Sequence, residues 1–271
     1  MKMPCAGAVR EHHQGVGLAA VALRRIQRGS NGRVGISGKP ERDGTHKTFI
    51  TPAERPSLNT RTVSTETHGR YLVDIPEPSR GTLVGFHGYQ ENAATTFDVL
   101  RQIAAGRSLG VVSVQGLHRF YSKANEVIAS WMTKEDRELA IADNVAYVAK
   151  VLAAVADEYG ITRPLIYAGF SQGVAMAYRA ATLVQRPCDG VIALAGDVPP
   201  DVAPLASSLP RVLLGRGIGD KWYTDAVAAK DLDALRQAGV NVTAQVFDGG
   251  HAWTPEFSAR AGAFVDELLS S

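Results

Sequence analysis

The sequence predicts an α/β fold with a mostly parallel sheet of about seven strands and helices on both faces. Short apolar runs alternate with longer amphipathic segments from about residue 68 to the C-terminus. Several of these runs are continuously apolar, as expected for strands that are covered on both faces. The pattern spans about 200 residues, which is the length of a single domain.

Seven segments have the length and composition of strands. In 70–75 apolar residues alternate with polar ones until Pro76 ends the strand, whereas 81–86 is almost wholly apolar, as in the interior of a sheet. The predicted strands are 70–75, 81–86, 110–114, 164–168, 190–195, 211–215 and 241–247.

Five segments have helical patterns, four of them between these strands and one after the last strand. Asn92 is placed to cap the first helix, Gly160 and Gly239 follow the ends of two others, and Pro255 opens the last. The predicted helices are 92–105, 136–159, 172–184, 223–238 and 255–269.

Residues 1–62 differ from the rest of the chain in composition and charge. They contain 11 basic and 4 acidic residues, whereas the remainder contains 18 basic and 23 acidic residues. Because the charges are scattered and no apolar periodicity is present, we expect a disordered basic tail over 1–62; the alternative is a basic arm for an anionic surface. Residues 63–271 are expected to form the folded domain, and their acidic excess is unsuited to nucleic acid.

Composition also argues against several other classes of protein. Two cysteines, Cys5 and Cys188, cannot form a disulfide framework or a cysteine-rich metal site, and no metal or cofactor is expected. No run of 18 apolar residues exists, so no transmembrane segment is predicted. The apolar stretch 15–23 is followed by basic residues, which disfavours a cleaved leader and favours a cytoplasmic protein.

The sequence Gly-Phe-Ser-Gln-Gly at 169–173 lies between a predicted strand and a predicted helix. In a nucleophile elbow a serine occupies the sharp turn between these two elements, at the carboxyl edge of the sheet. Gly169 and Gly173 leave room where the two backbones come close. This context predicts that Ser171 is a nucleophile; the alternative is a glycine-rich turn with a solvated serine.

A serine nucleophile needs a base, and an acid that orients the base. In this architecture the histidine follows the serine and the acid, and His251 is the only histidine that follows Ser171. Asp220, in the loop after strand 211–215, is the favoured acid. Asp197, after strand 190–195, is the main alternative.

Acyl transfer also needs donors for the developing oxyanion. One donor is expected from the backbone N–H of Gln172, directly after the nucleophile, and the other from the loop after strand 81–86. Gly88 lets that loop bend towards the site, so the N–H of Tyr89 is the predicted second donor. The ring of His87 is expected to have a structural role beneath the loop.

Aromatic residues near these motifs are candidates for a substrate pocket. The segment 119–137 contains Phe120, Tyr121 and Trp131, and forms either a wall of the substrate site or packing over the sheet edge. Three more aromatic residues adjoin the proposed acid and base. The candidate pocket residues are Trp131, Trp222, Tyr223 and Trp253.

Together, His87-Gly88, the 169–173 elbow, Asp220 and Gly-Gly-His-Ala-Trp at 249–253 resemble the phospholipase/carboxylesterase group of α/β-hydrolases, which includes bacterial carboxylesterases and acyl-protein thioesterases. The resemblance covers about residues 70–269. It implies an α/β-hydrolase fold and a Ser-His-Asp hydrolase without a cofactor. The oxyanion segment His-Gly-Tyr-Gln-Glu-Asn departs from the glycine-rich form common in that group, which puts the acyl pocket in doubt.

The expected function is hydrolysis of a small-molecule carboxylic ester or thioester through an acyl-enzyme. A dienelactone-hydrolase-like enzyme would use cysteine, and Ser171 argues against it. The alternative from another class is a non-catalytic α/β-hydrolase module that binds or regulates a partner. The sequence favours no acyl length, leaving group or oligomeric state.

Overall fold

A computed structural model describes residues 59–271, so the prediction of a disordered tail over 1–62 falls almost entirely outside the described residues. The compact unit that contains the fold runs from Val63 to Ser271. Its nine strands are β1 (Arg70–Asp74), β2 (Thr82–Phe86), β3 (Gly110–Gln115), β4 (His118–Tyr121), β5 (Val127–Ser130), β6 (Leu165–Phe170), β7 (Gly190–Leu194), β8 (Arg211–Gly217) and β9 (Val242–Phe247).

Four α-helices lie between these strands, a fifth follows β9, and a short 3₁₀ helix, Ala203–Ser208, precedes β8. The Asn92 side chain accepts a hydrogen bond from the N–H of Thr95 and so caps the first helix, as its position in the sequence suggests. The helices are α1 (Ala93–Ala104), α2 (Arg137–Glu158), α3 (Gln172–Leu183), α4 (Asp225–Gln237) and α5 (Pro255–Leu269).

Seven strands form one sheet in the order β1-β3-β2-β6-β7-β8-β9. All neighbouring pairs are parallel except β1 and β3, which are antiparallel. The predicted fold class is therefore confirmed. Because β2, β6, β7, β8 and β9 run in the same direction, the loops that follow them meet at one edge of the sheet.

The central strands are buried along their whole length. Every residue of β2, β6 and β7 is buried, because helices cover both faces of the sheet. Phe264 and Val265 of α5 are fully buried on this core, as are Val148 and Val155 of α2. The result is a rigid support for the loops at the carboxyl edge.

The hairpin β4–β5 forms a separate two-stranded sheet that the sequence does not predict. Its strands have only four residues each, and β4 is mostly exposed, so neither has a clear apolar alternation. The hairpin is connected to the loop after β2, since Ala129 N–H donates to the carbonyl of Glu91 and Gln90 N–H donates to the carbonyl of Ala129. It therefore positions a segment close to the predicted oxyanion loop.

Within the described residues, α2 alone is long and apolar enough to cross a membrane, judged by length and composition. Val148, Val151, Leu152 and Val155 face the core, and several of its solvent-facing positions are alanines, including Ala142 and Ala153. A helix that covers one face of a sheet meets the same criteria. The absence of a membrane-spanning segment stays a prediction.

Candidate active site

Ser171 connects β6 to α3 in a backbone conformation that is rare for a residue with a side chain. Its φ is 51° and its ψ is −119°. Such a conformation costs about 1–3 kcal/mol and persists only where the surrounding structure enforces it. Here the Ser171 N–H donates to the carbonyl of Leu194 at 2.9 Å, which ties the turn to the end of β7.

Three glycines make this turn possible because other backbone lies where their side chains would be. A Cβ at Gly169 would lie 2.5 Å from the carbonyl oxygen of Gly173. At Gly173 it would lie 2.1 Å from the carbonyl oxygen of Phe86, and at Gly196 it would lie 2.4 Å from that of Ser171. The sequence predicts the first two of these close approaches, and Gly196 is an addition from the structure.

Ser171, His251 and Asp220 form a continuous chain of hydrogen bonds. The Ser171 Oγ lies 2.8 Å from His251 Nε2, and His251 Nδ1 lies 2.8 Å from Asp220 Oδ2. Because a carboxylate only accepts, Nδ1 carries the proton and Nε2 is free to accept from the serine hydroxyl. The three side chains come from the loops after β6, β8 and β9 and meet at the carboxyl edge of the sheet.

The Asp220 carboxylate is enclosed and held by the loop that carries it. Its side chain is 0% exposed, whereas that of His251 is 23% exposed. The backbone N–H groups of Trp222 and Tyr223 donate to Oδ1 at 2.8 and 2.9 Å, which leaves Oδ2 for the imidazole. Asp197, the alternative acid, is exposed and has no hydrogen bond to His251 among residues 59–271.

The loop after β2 approaches the same edge of the sheet, supported by the buried ring of His87. Gly116 N–H donates to His87 Nε2 at 2.9 Å, so Nδ1 carries the proton and donates to the carbonyl of Gly88 at 2.7 Å. The ring stacks on Trp131 with 5.2 Å between centroids. Burial lowers the pKa of His87, which keeps the ring neutral in this structural role.

Of the two predicted oxyanion donors, the N–H of Tyr89 belongs to this loop and the N–H of Gln172 belongs to the elbow. In the described part of the chain, neither Tyr89 N–H nor Gln172 N–H has a hydrogen-bond partner. The peptide that carries the Tyr89 N–H is held through its carbonyl, that of Gly88, which accepts from His87 Nδ1, while the N–H of Gly88 donates to Glu91 Oε2 at 2.7 Å. Burial raises the pKa of Glu91, and the hydrogen bond from Gly88 N–H partly offsets this rise.

No protein-family model matches this sequence, and neither does any curated protein. Solved structures do match. A Bacillus cereus carboxylesterase has a TM-score of 0.58 and 20% identity over 74% of this chain and 94% of its own. Zea mays acyl-protein thioesterase 2 has a TM-score of 0.58 and 20% identity over 74% and 100%, and esterase PE8 has 0.59 and 23% over 74% and 98%. This chain has an α/β-hydrolase fold.

The α/β-hydrolase fold here includes a contact that the sequence does not predict, made by the Gln172 side chain. Its Oε1 accepts from the Trp131 N–H at 2.9 Å and from Ser130 Oγ at 3.2 Å, and its Nε2 donates to the Met132 carbonyl at 2.9 Å. The amide therefore links the elbow of the α/β-hydrolase fold to the segment after β5. The sequence signal, a glutamine directly after the serine, is present but does not reveal its partners.

An open cleft of about 450 Å³ lies over Ser171 and His251 at the carboxyl edge of the α/β-hydrolase sheet. Arg137 and Asp197 contribute its charged groups, and neither forms a salt bridge within residues 59–271. Trp222, 81% exposed, is also part of the lining. The remaining lining residues are Met132, Gln172, Ala175, Ala195, Gly196, Tyr223 and Val227.

Of the four predicted pocket aromatics, Trp222 and Tyr223 line the cleft and two do not. Trp131 is 0% exposed: its Nε1 donates to the His87 carbonyl at 2.9 Å, and its ring packs against Phe86. Trp253 instead packs on Phe257 of α5. The structure therefore places these two side chains in packing around the loops that they adjoin, and neither is among the residues that line the cleft.

Tyr223 also anchors the loop that carries Asp220. Its hydroxyl donates to Asp231 Oδ2 at 3.0 Å, and the N–H of Val198 donates to the same oxygen at 3.2 Å. Burial raises the pKa of both Tyr223 and Asp231. Asp231 therefore connects the loops after β7 and β8.

No group of three or more His, Cys, Asp or Glu side chains in the described range is arranged to hold a metal ion.

Proposed function

We propose that this protein is a serine hydrolase of carboxylic esters or thioesters, with Ser171 as nucleophile, His251 as general base and Asp220 as the acid that orients the base. The observation that carries the proposal is the 2.8 Å contact between Ser171 Oγ and His251 Nε2, on a serine held in a strained elbow. Serine is a weak nucleophile unless a base accepts its proton, and this contact supplies the base.

In the first half-reaction the Ser171 Oγ attacks the substrate carbonyl carbon while His251 Nε2 accepts the hydroxyl proton. Asp220 stabilises the resulting imidazolium through Nδ1 and keeps the ring in the required tautomer. The tetrahedral intermediate then collapses: the bond to the alcohol or thiol breaks, and the Nε2 proton passes to that leaving group. The product of this step is an ester of Ser171.

In the second half-reaction water takes the place of the leaving group. His251 accepts a proton from the water, whose oxygen attacks the acyl carbon, and then returns that proton to Ser171 Oγ as the acid product leaves. The enzyme ends in its starting state, so the cycle needs no cofactor. The exposed part of the His251 side chain is consistent with entry of water.

The backbone N–H groups of Tyr89 and Gln172 are the proposed oxyanion donors. Both lack a partner among the described residues, and the hydrogen bond from His87 Nδ1 to the Gly88 carbonyl orients the peptide that carries the Tyr89 N–H. Donors that are fixed before the reaction stabilise developing charge without reorganisation, and one such donor is typically worth about 100- to 1000-fold in kcat.

The matched structures support the same class of reaction, since they include a carboxylesterase, an acyl-protein thioesterase and an esterase. Their low identity leaves the substrate open. The cleft is open and its lining mixes charged and apolar groups, which favours a small-molecule substrate with a polar part.

The competing function is that of a non-catalytic binding module. A cytoplasmic location stays a prediction.

Ser171→Ala tests the proposal. It should abolish hydrolysis of p-nitrophenyl esters from acetate to dodecanoate while the thermal unfolding midpoint stays close to that of the unchanged protein. Ser208→Ala is the matched control, because the Ser208 hydroxyl is exposed and bonds only to the Leu205 carbonyl. The control should retain full activity.

Labelling with a fluorophosphonate separates the two candidate functions. An active hydrolase forms a bond between Ser171 Oγ and phosphorus as fluoride leaves, and mass spectrometry then finds the adduct on the peptide that contains Ser171. Ser171→Ala should show no such adduct. If the unchanged protein is not labelled and hydrolyses no ester, the non-catalytic module is the better explanation.

A further inference from the structure

A second cavity of about 330 Å³ lies where the start of α1 meets β1, β3 and the β4–β5 hairpin. It shares no lining residue with the cleft over Ser171. Two arginines, Arg70 and Arg119, line it, and its polar lining also includes Asn92 and Gln115. No acidic residue is among the lining residues, so the electrostatic potential inside it is positive.

Neither arginine has a carboxylate counter-ion in residues 59–271. Arg119 Nη2 donates to the carbonyl of His68 at 3.2 Å, which engages one of its several donors and orients the guanidinium. The Arg70 side chain has no hydrogen bond in the described chain. A pair of guanidinium groups on one cavity is suited to a ligand with oxygen atoms that carry negative charge.

Gln115 adds a buried donor that lacks a partner. Its Oε1 accepts from the N–H of Ala93 at 2.8 Å, which fixes which end of the amide is which. The residue is 5% exposed, and its Nε2 has no hydrogen-bond partner within the described residues. An unpaired buried donor costs free energy, and this one becomes available to a ligand only when the amide turns towards the cavity that Gln115 lines.

The N-terminus of α1 contributes further donors. Asn92 caps the N–H of Thr95, and Gln115 takes that of Ala93, whereas the N–H of Ala94 has no partner in the part of the chain that the structure describes. This helix is 12 residues long, and its aligned peptides place partial positive charge at the end that faces the cavity.

We propose that this cavity binds a phosphoryl group, as inorganic phosphate or as a phosphate monoester. Its donors are the guanidinium groups of Arg70 and Arg119 and the N-terminus of α1, and the unpaired Gln115 amide lies beside them. Leu72 and Val127 complete the wall with apolar surface, and the cavity is larger than a phosphate ion, which favours an ester with a small organic group. The site is independent of the proposed hydrolytic function.

Titration calorimetry on the full chain tests the site with two probes, inorganic phosphate and phenyl phosphate, at constant ionic strength set with chloride. We expect dissociation constants of about 1 mM or below for at least one probe. Arg70→Gln combined with Arg119→Gln should weaken binding about tenfold or more. Lys230→Gln combined with Arg236→Gln on the exposed face of α4 removes the same charge elsewhere, and should leave the affinity unchanged.

Tighter binding of phenyl phosphate would identify an ester as the ligand, and equal affinities would identify the phosphoryl group alone; both support the site. Three results would overturn it: no binding of either probe at about 10 mM, equal affinity in the Arg70/Arg119 variant, or loss of binding in Arg137→Gln, which would locate the ion in the cleft over Ser171. Because the readout is binding, an inactive protein could still have the site.

Discussion

Asp220 and Asp197 each follow a strand at the carboxyl edge of the sheet, yet their surroundings differ at almost every contact. Asp220 is enclosed, and the backbone N–H groups of Trp222 and Tyr223 hold one of its oxygens while His251 takes the other. Asp197 is exposed on the cleft. Both carboxylates follow a strand, but only Asp220 is held by backbone N–H groups of its own loop. These donors therefore make Asp220 a fixed partner for the histidine.

Neutralising each aspartate in turn should separate the roles of Asp220 and Asp197 by a large difference in activity. Asp220→Asn should lower kcat for p-nitrophenyl butyrate by about 1000- to 10,000-fold. The N–H groups of Trp222 and Tyr223 keep the amide oxygen, so the amide NH2 group faces Nδ1, favours the wrong imidazole tautomer and supplies no negative charge to stabilise the imidazolium. Asp197→Asn should change kcat by no more than about threefold, since its charge is exposed and solvated. A larger loss in Asp197→Asn than in Asp220→Asn would reverse the assignment of the acid.

The same contrast between fixed and solvated polar groups applies to two glutamines. Gln172→Glu replaces the donor to the Met132 carbonyl with a carboxylate oxygen, while Gln185→Glu makes the same change at an exposed position. We expect the first to lower the free energy of unfolding by about 1–3 kcal/mol. The second should change it by less than about 0.5 kcal/mol. Urea unfolding measures both, and equal values would mean that the Gln172 contacts contribute nothing.

The buried His87 and the exposed His118 are expected to differ in how they affect the pH dependence of the free energy of unfolding. Burial lowers the pKa of His87 below its ordinary value of 6.5, so between these two values the unfolded chain binds a proton that the folded protein does not. The free energy of unfolding should therefore fall as the pH drops below 6.5, by at most about 1.4 kcal/mol per pH unit from this residue.

Urea unfolding at about pH 7.5 and about pH 5.5 measures this dependence. His87→Asn should unfold more easily at both pH values but lose part of the difference between them. His118→Asn is the control, because His118 is exposed in β4, and it should retain the full difference. A pH dependence that is unchanged in His87→Asn would show that the buried ring is not its source.

Much of this architecture was predictable because it depends on local chemistry. Apolar runs predict the seven strands of the main sheet, and the order of loops at its carboxyl edge predicts that Ser171, Asp220 and His251 lie together. The structure brings these three side chains within hydrogen-bond distance. The order of strands in the sheet is not local, and parallel pairing alone does not define it.

The strongest contacts of the Gln172 side chain, which the sequence does not predict, involve backbone atoms from a distant segment. Gln172 bonds to the N–H of Trp131 and the carbonyl of Met132, about 40 positions earlier in the chain. Every residue has such backbone groups, so no residue type marks them as partners. Trp131 was expected at the surface of a pocket for the same reason, since only the path of the β4–β5 hairpin places its indole against His87.

The backbone of Ser171 limits which nucleophiles this scaffold could acquire by point mutation. At a φ of 51° a side chain branched at Cβ is strongly disfavoured, so threonine, although it carries a hydroxyl, is a poor substitute. Cysteine has the same unbranched Cβ as serine and is sterically compatible. Evolution could therefore replace the Ser171 hydroxyl with a cysteine thiol at this position, whereas the secondary alcohol of threonine is strongly disfavoured, whatever the substrate in the cleft.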